Sequence, residues 1–307
     1  LIPLKVPPLD FSASRLLITG GWPSDQVEDY MRQRTLHFCF TQPGVGRVRA
    51  NIFRHLGGIA GVYKLLPDDP PVLANLRLPA VVERFSHMSN GLLLITGPRG
   101  CGKTSTMAAI LDAINQREPN HIITLEDPIE YLLPSKQSLV AQREVGVHTR
   151  SFARGLRSAL REDPDVIGIT DLCDLETMTT AISAAETGHL VVATLHTSNS
   201  YRTILRILDA FPSYKREQIR TMLSGALRAV VSQQLIPNLE GTGVEAACEV
   251  LVVNAAISTL IRENRLHQIP IFIQTGRKDG MQLMDDSIID LLRERRISFD
   301  EGMMRAT

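Results

Sequence analysis

The stretch GPRGCGKTS, Gly97 to Ser105, constrains the fold of this chain more than any other segment. It fits the spacing G-x-x-x-x-G-K-[ST], with Gly97, Gly102, Lys103 and Thr104 at the fixed places. Before it, Leu92 to Thr96 reads as a buried strand. After it, Met107, Ile110, Leu111 and Ile114 recur at helical spacing. Strand, glycine loop and helix in that order make a polyphosphate cradle, because backbone N–H groups converge on the anion and the helix presents its positive end. The whole loop, Gly97, Pro98, Arg99, Gly100, Cys101, Gly102, Lys103, Thr104 and Ser105, is therefore expected to hold the phosphates of ATP or GTP. Lys103 reaches the β- and γ-phosphates, and the Thr104 hydroxyl ligates Mg²⁺. Cys101 sits at a helix N-terminus beside Lys103, a setting that lowers a thiol pKa and predicts reactivity. The competing reading of Cys101 is a small buried thiol that fills space.

A chain of 307 residues suggests two domains or one large one. Its 44% hydrophobic and 21% charged residues are ordinary for a soluble globular protein. No apolar run approaches the ~20 residues of a membrane span, so no direct membrane insertion is expected. Leu1 to Leu9 is proline-rich with one lysine and does not read as a signal peptide. The start at Leu1 rather than Met predicts a missing N-terminal piece. With 33 basic and 33 acidic residues the chain has no net charge, which argues against a nucleic-acid partner. Cys39, Cys101, Cys173 and Cys248 lie far apart without a C-x-x-C pair, so a zinc ribbon is not expected and a cytoplasmic, reduced protein is.

Two regions follow from the patterning. In residues 1–71, a short helix is expected from Trp22 to Arg34 after a Pro23–Ser24 start. Strands are expected at Leu36–Phe40, Val48–Phe53 and Ile59–Leu66, with a turn at Thr41–Gly46. This predicts a small antiparallel sheet with a helix on it. Pro67 to Pro71 is a stiff linker. In residues 72–307, apolar strand candidates Leu92–Thr96, Ile122–Leu125, Val166–Thr170 and Leu190–Thr194 alternate with helical patterns, one of them carrying Phe152, Leu156, Ala159 and Leu160. The alternation predicts an α/β domain with a parallel sheet wrapped by helices. A last strand is expected at Ala246–Val253, and a helical tail from Ala255.

Three further segments carry chemistry. HIITLEDPIEY runs a strand into Glu126, Asp127 and Glu130, and strand ends of a parallel sheet face the ligand crevice. One of these carboxylates can orient an attacking water; taken alone, an acidic turn is merely solvated. DPDVIGITD places Asp171 at the tip of a buried strand, the position from which a carboxylate holds Mg²⁺ through water. ETGHLVVATLHTS brackets a strand with His189 and His196, which can sense a γ-phosphate. Metal ligation by the histidines is disfavoured, since no further ligand lies at metal-site spacing.

In this order GPRGCGKTS, HIITLEDPIEY, LREDPDVIGITD and AAETGHLVVATLHTS resemble the secretion-type ATPases of type IV pili and type II secretion. The pilus retraction ATPases are the closer match, through SALREDPD, DLET, AAETGHL, TLHTS, RTMLSGALRAVVSQQLI, LIREN, IQTG and GMQLMD, and through VPPLD and RVRANIF near the start. The four-cysteine zinc motif usual in extension ATPases is absent. The resemblance covers nearly the whole chain. It implies a small PAS-like α+β domain, short at its start, followed by a RecA-like P-loop ATPase domain. It also implies a homohexamer with ATP between subunits, and an inner-membrane pilus platform partner that holds the ring peripherally at that membrane. Carried over by position, Glu130 matches the family's catalytic glutamate, Asp171 its Walker B glutamate, and His189 and His196 its His-box histidines. The implied work is pilus retraction for twitching motility.

The chain departs from the family at Asp171, where Glu is usual, at Cys173, where Arg is usual, and at Gly57 and Lys64, where arginines are usual. Ser258 and Thr259 replace Arg and Asn in the stretch AAISTLIRE. These departures favour, as an alternative, a slowly hydrolysing accessory ring subunit. A DNA-translocating motor is a third reading, which the neutral charge disfavours.

Overall fold

The computed structural model describes residues 7, 9–20, 22, 24–67 and 69–306. The chain divides into two compact units, Leu1–Asp68 and Asp69–Thr307. The residues Pro23 and Asp68, from the expected helix start and linker, lie outside the described residues, as do 1–6 and 8 of the proline-rich start.

In the first unit, α1 (Phe11–Thr19) and α2 (Ser24–Gln33) precede an antiparallel sheet of β1 (Thr35–Gln42), β2 (Gly46–His55) and β3 (Gly58–Leu66) in the order β1-β2-β3. Helix α1, which the patterning did not indicate, is capped by Asp10, whose carboxylate accepts from the Ala13 N–H at 2.7 Å. Tyr30, Ala50 and Ile52 form a buried core under Trp22 and Phe38. The Trp22 ring meets Tyr30 and Phe38 edge-on, with centroids 5.8 and 5.7 Å apart. The strands are those expected, each a residue or two longer at its ends.

The second unit begins with α3 (Val81–Phe85), β4 (Gly91–Thr96), α4 (Lys103–Arg117), β5 (His121–Glu126) and β6 (Leu139–Glu144). It continues through α5 (Phe152–Ala159), β7 (Val166–Ile169), α6 (Leu175–Glu186), β8 (Leu190–Leu195), α7 (Ser200–Ala210), α8 (Ser213–Ala226), β9 (Leu227–Pro237) and β10 (Val244–Val252). It closes with α9 (Ala255–Arg262), α10 (Ile269–Thr275), α11 (Met284–Arg293) and α12 (Phe299–Arg305). Seven strands make one sheet in the order β10-β9-β4-β8-β7-β5-β6, parallel throughout except for β10 against β9.

The buried run of β4 shows why the sheet lies between helices on both faces. Its side chains alternate: Leu92 and Leu94 join the core under α6–α8, whereas Leu93 and Ile95 join the core under α4. A sheet of this kind is covered on both sides and opens to ligands only at strand ends. The ends of β4, β5, β7 and β8 lead into the glycine loop, Asp127, Thr170–Asp171 and His196. A smaller apolar cluster of Ile236, Ala247, Met284, Ile288, Leu291 and Ile297 fastens α11 to β9 and β10.

Candidate nucleotide site

The glycine loop turns sharply out of β4. Gly97 has φ +145°, and a Cβ there would stand 2.4 Å from Cys101 Sγ and 2.4 Å from the Gln233 carbonyl oxygen, so no side chain fits. Lys103 opens α4 and is 7% exposed. Its Nζ donates to the carbonyls of Gly97 at 2.9 Å and Pro98 at 2.8 Å, which folds the ammonium into the loop. Burial draws Lys103 below its ordinary pKa, and neighbouring Cys101 opposes that shift. Thr104 and Ser105 are half-buried at the start of the helix, and the Ser105 hydroxyl lies 2.8 Å from Tyr131 Oη. From β9, Ser232 Oγ meets Thr96 Oγ1 at 2.7 Å, and Gln233 Nε2 donates to Thr106 Oγ1 at 2.9 Å.

Of the two readings of Cys101, burial favours the second. It is 3% exposed, and burial pushes its thiol up against the pull of Lys103. Desolvation of the thiolate outweighs the lysine, which favours a buried space-filling thiol over an activated one.

Asp171 follows β7 and is half-buried. Burial raises its pKa, His196 and Lys103 pull it down, and Asp127 pushes it up. The Cys173 thiol also pulls it down. His196 is lowered first by burial and then by Lys103, with Asp171 opposing and Arg99 adding to the lowering. These mutual effects put Lys103, Asp171, His196 and Arg99 in one electrostatic neighbourhood. Thr104 and Asp171 offer hard oxygen donors beside Lys103, a set that suits Mg²⁺, which keeps most of its shell as water and phosphate oxygens. Among the described residues there is no group of three or more His, Cys, Asp or Glu able to hold a metal without such help.

His189 stands apart. It precedes β8, its Nδ1 lies 3.0 Å from the Ala184 carbonyl, and its own carbonyl accepts from the Gly91 N–H at 3.0 Å. Gly91 pairs with Leu190 and Thr96 with Leu195, so His189 and His196 lie at opposite ends of one strand. At ~3.3 Å per residue that is on the order of 20 Å. The structure does not bring His189 to the loop of its own chain.

Glu130 is 7% exposed and follows the cis Asp127–Pro128 bond. Asp127 is exposed, and its N–H donates to Thr170 Oγ1 at 3.2 Å. Glu126 is 3% exposed, and its Oε1 accepts from Thr124 Oγ1 at 2.6 Å and Gln142 Nε2 at 2.8 Å. Burial pushes its carboxyl from 4.5 up to about 7, with Glu130 and Glu144 adding to the rise. A raised carboxyl stabilises the fold fully below 4.5, and that contribution is lost as pH rises through about 7. Glu126→Gln keeps the acceptor and removes the charge. Its melting temperature is expected to match wild type near pH 4.5 and to exceed it increasingly up to pH 8. The gain corresponds to roughly 3 kcal/mol. Equal melting at both pH values would show that Glu126 is not held neutral.

Beside the loop runs a cleft of about 460 Å³. Ser105 and Thr106 line one side, with Arg77, Leu235 and Glu245 further along. Gln233 also lines it, and its side-chain Oε1 is buried without a hydrogen-bond partner. Tyr131, Gln142 and Gln233 escaped the sequence reading; none lies at a spacing that marks it, Gln142 and Gln233 sit on β6 and β9, and Tyr131 reaches Ser105 from the irregular segment after β5.

Residues 76–278 match the family described as Type II/IV secretion system protein. The chain belongs to that family. Within the Type II/IV secretion system family, it is 43% identical over 290 residues to the "Twitching motility protein" of Neisseria gonorrhoeae, covering 94% of this chain and 78% of that one. It is 41% identical over 303 residues to the "Type IV pilus retractation ATPase PilT" of Pseudomonas aeruginosa, covering 99% of this chain and 88% of that one. The crystal structure of the pilus retraction motor PilT with bound ADP superposes with a TM-score of 0.87 at 43% identity, over 95% of this chain and 83% of that chain. The family's fold is the one expected, a P-loop α/β domain with a largely parallel sheet, preceded in the chain by a small antiparallel α+β unit. Among the described residues no helix is long and apolar enough to cross a membrane.

Proposed function

We propose that this chain is an ATP-hydrolysing ring motor of the pilus retraction type. The observation that carries the reading is the strand-end constellation: Lys103 after β4, Asp171 after β7 and His196 after β8 act on one another beside a complete phosphate loop. In this reading the loop from Gly97 to Ser105 holds the phosphates, and the nucleoside extends into the cleft past Ser105 and Thr106. Thr104 and Asp171 would hold Mg²⁺. The chemistry Mg²⁺ supplies when bound is charge neutralisation on the β- and γ-oxygens.

Glu130 takes the proton of the attacking water. His196, held neutral by burial and by Lys103, donates a hydrogen bond at the γ-phosphate without adding charge. Residues 72–307 form the motor and residues 1–71 the PAS-like domain. Six chains close a ring on the cytoplasmic face of the inner membrane against the pilus platform protein. The names and lengths of the relatives support retraction as the work done.

Deleting the gene and imaging surface pili tests this. Excess pili that fail to retract are the expected result. Normal numbers and normal retraction would reject the motor assignment and favour the accessory ring subunit, whose slow turnover a steady-state ATPase assay on the purified chain would reveal.

A further inference from the structure

Residues 127–138, which carry Glu130, contain no helix or strand. Backbone without a ladder of its own opens readily, whereas a general base must be held within a fraction of an ångström. Further along, Asn115 of α4 holds the Pro134 carbonyl at 2.8 Å and the Lys136 N–H at 3.0 Å; on either side of Glu130 strand β6, on the edge of the sheet, supplies hydrogen bonds. Glu144 Oε2 accepts from the Ile129 N–H at 3.0 Å, immediately before Glu130. Gln142 Nε2 donates to the Tyr131 carbonyl at 2.9 Å, immediately after it. Gln142 Oε1 accepts from the Leu133 N–H at 2.7 Å. The same Nε2 donates to Glu126 Oε1 at 2.8 Å, which ties this grip to the end of β5. Side chains alternate along a strand. Gln142 and Glu144 thus share the face that meets the segment, while Arg143 faces away and pairs with Glu162 at 2.8 Å.

We infer that Gln142 and Glu144 are positioning residues for hydrolysis, clamping the backbone on both sides of Glu130 so that its carboxylate meets the attacking water. The inference rests on the reading of Glu130 as the base. Both clamp residues are half-buried and bond to backbone atoms, so they fix where the segment lies rather than what it carries. The clamp's own hydrogen bonds reach no residue of the phosphate loop, and the segment's contact with Ser105 is made by the Tyr131 hydroxyl, not by the clamped backbone. Nucleotide affinity and the chemical step should therefore separate.

Gln142→Met keeps the length of the side chain and removes its hydrogen bonds to Tyr131, Leu133 and Glu126. The expected result is a kcat for ATP lower by about 10- to 100-fold, as a displacement near 1 Å produces. KM for ATP and affinity for ADP should be unchanged. The double variant Gln142→Met/Glu130→Gln should be no slower than Glu130→Gln alone, because the clamp acts only through Glu130. Glu144→Gln, which keeps an acceptor for the Ile129 N–H, should retain most of the turnover.

A wild-type kcat in Gln142→Met, or a loss that multiplies with that of Glu130→Gln, overturns the clamp. If Gln142→Met does not fold, Glu144→Ala makes the same comparison from the other side of Glu130. An active wild type with an unaffected Gln142→Met rejects the clamp alone. A wild-type chain without turnover, or a fully active Glu130→Gln, rejects the hydrolysis reading and the clamp together.

Discussion

Lys103→Ala is expected to abolish turnover and to weaken nucleotide binding severely. The variant removes the single ammonium placed inside the loop, where burial already strips it of water. In such a site a preorganised charge is worth more than in bulk solvent, and losing one such donor costs about 3–4 kcal/mol, or ~10²–10³ in rate. A second loss adds to the first. The Nζ contacts at 2.9 and 2.8 Å to the Gly97 and Pro98 carbonyls also brace the loop from within. Lys103→Met loses the same Nζ contacts but keeps the bulk of the side chain. Both variants should fail to turn over ATP and should melt below wild type, the alanine variant further because it also leaves a cavity. Measurable wild-type turnover in either would reject the phosphate role of Lys103.

The other large effect is expected from Glu130→Gln. The amide keeps the size of the side chain and part of its hydrogen bonding, but it cannot take a proton from water. General-base catalysis contributes about 10²–10⁴-fold, so kcat should fall by that range while ATP stays bound. Because Glu130 raises the pKa of Glu126, the neutral amide should also lower the Glu126 carboxyl from about 7. Retained activity would move the base to another carboxylate, and Glu126 is the first to test. Binding of a fluorescent ATP analogue, measured alongside turnover, keeps a folding defect from passing as a catalytic one.

The loop and the central strands were legible because each carries a local signal. G-x-x-x-x-G-K-[ST] is a spacing rule, and β4, β7 and β8 are uninterrupted apolar runs buried on both faces. Strand β6 was not legible. Its residues LVAQRE are half-exposed and charged, as an edge strand is, so no apolar run marks them. Strand β9 follows α8 directly, with no connecting loop between Ala226 and Leu227, which hides the change of period. The roles of Gln142 and Gln233 were invisible for the same reason: both sit on strands that sequence reading did not resolve. His189 and His196 looked alike in the sequence, and only the length of the strand between them tells them apart. For Cys101 spacing shows the lysine beside it but not the burial around it, so the sequence left its two readings open.

The order of the strands also bears on how the chain is made. Central β4 takes its neighbours from β8 and β9, and the hydroxyl pair that closes the loop against β9 joins residues 136 positions apart. At ~5–20 residues per second, translation separates Thr96 from Ser232 by on the order of ten seconds. Until β8 is made the apolar run from Leu92 to Ile95 has neither of its partner strands, and until β9 is made it has only one. The phosphate loop is encoded early, but it is among the last parts of the second unit to be completed. A nascent chain stalled before β9 would carry the full signature motif and still be unable to close the pocket around a nucleotide.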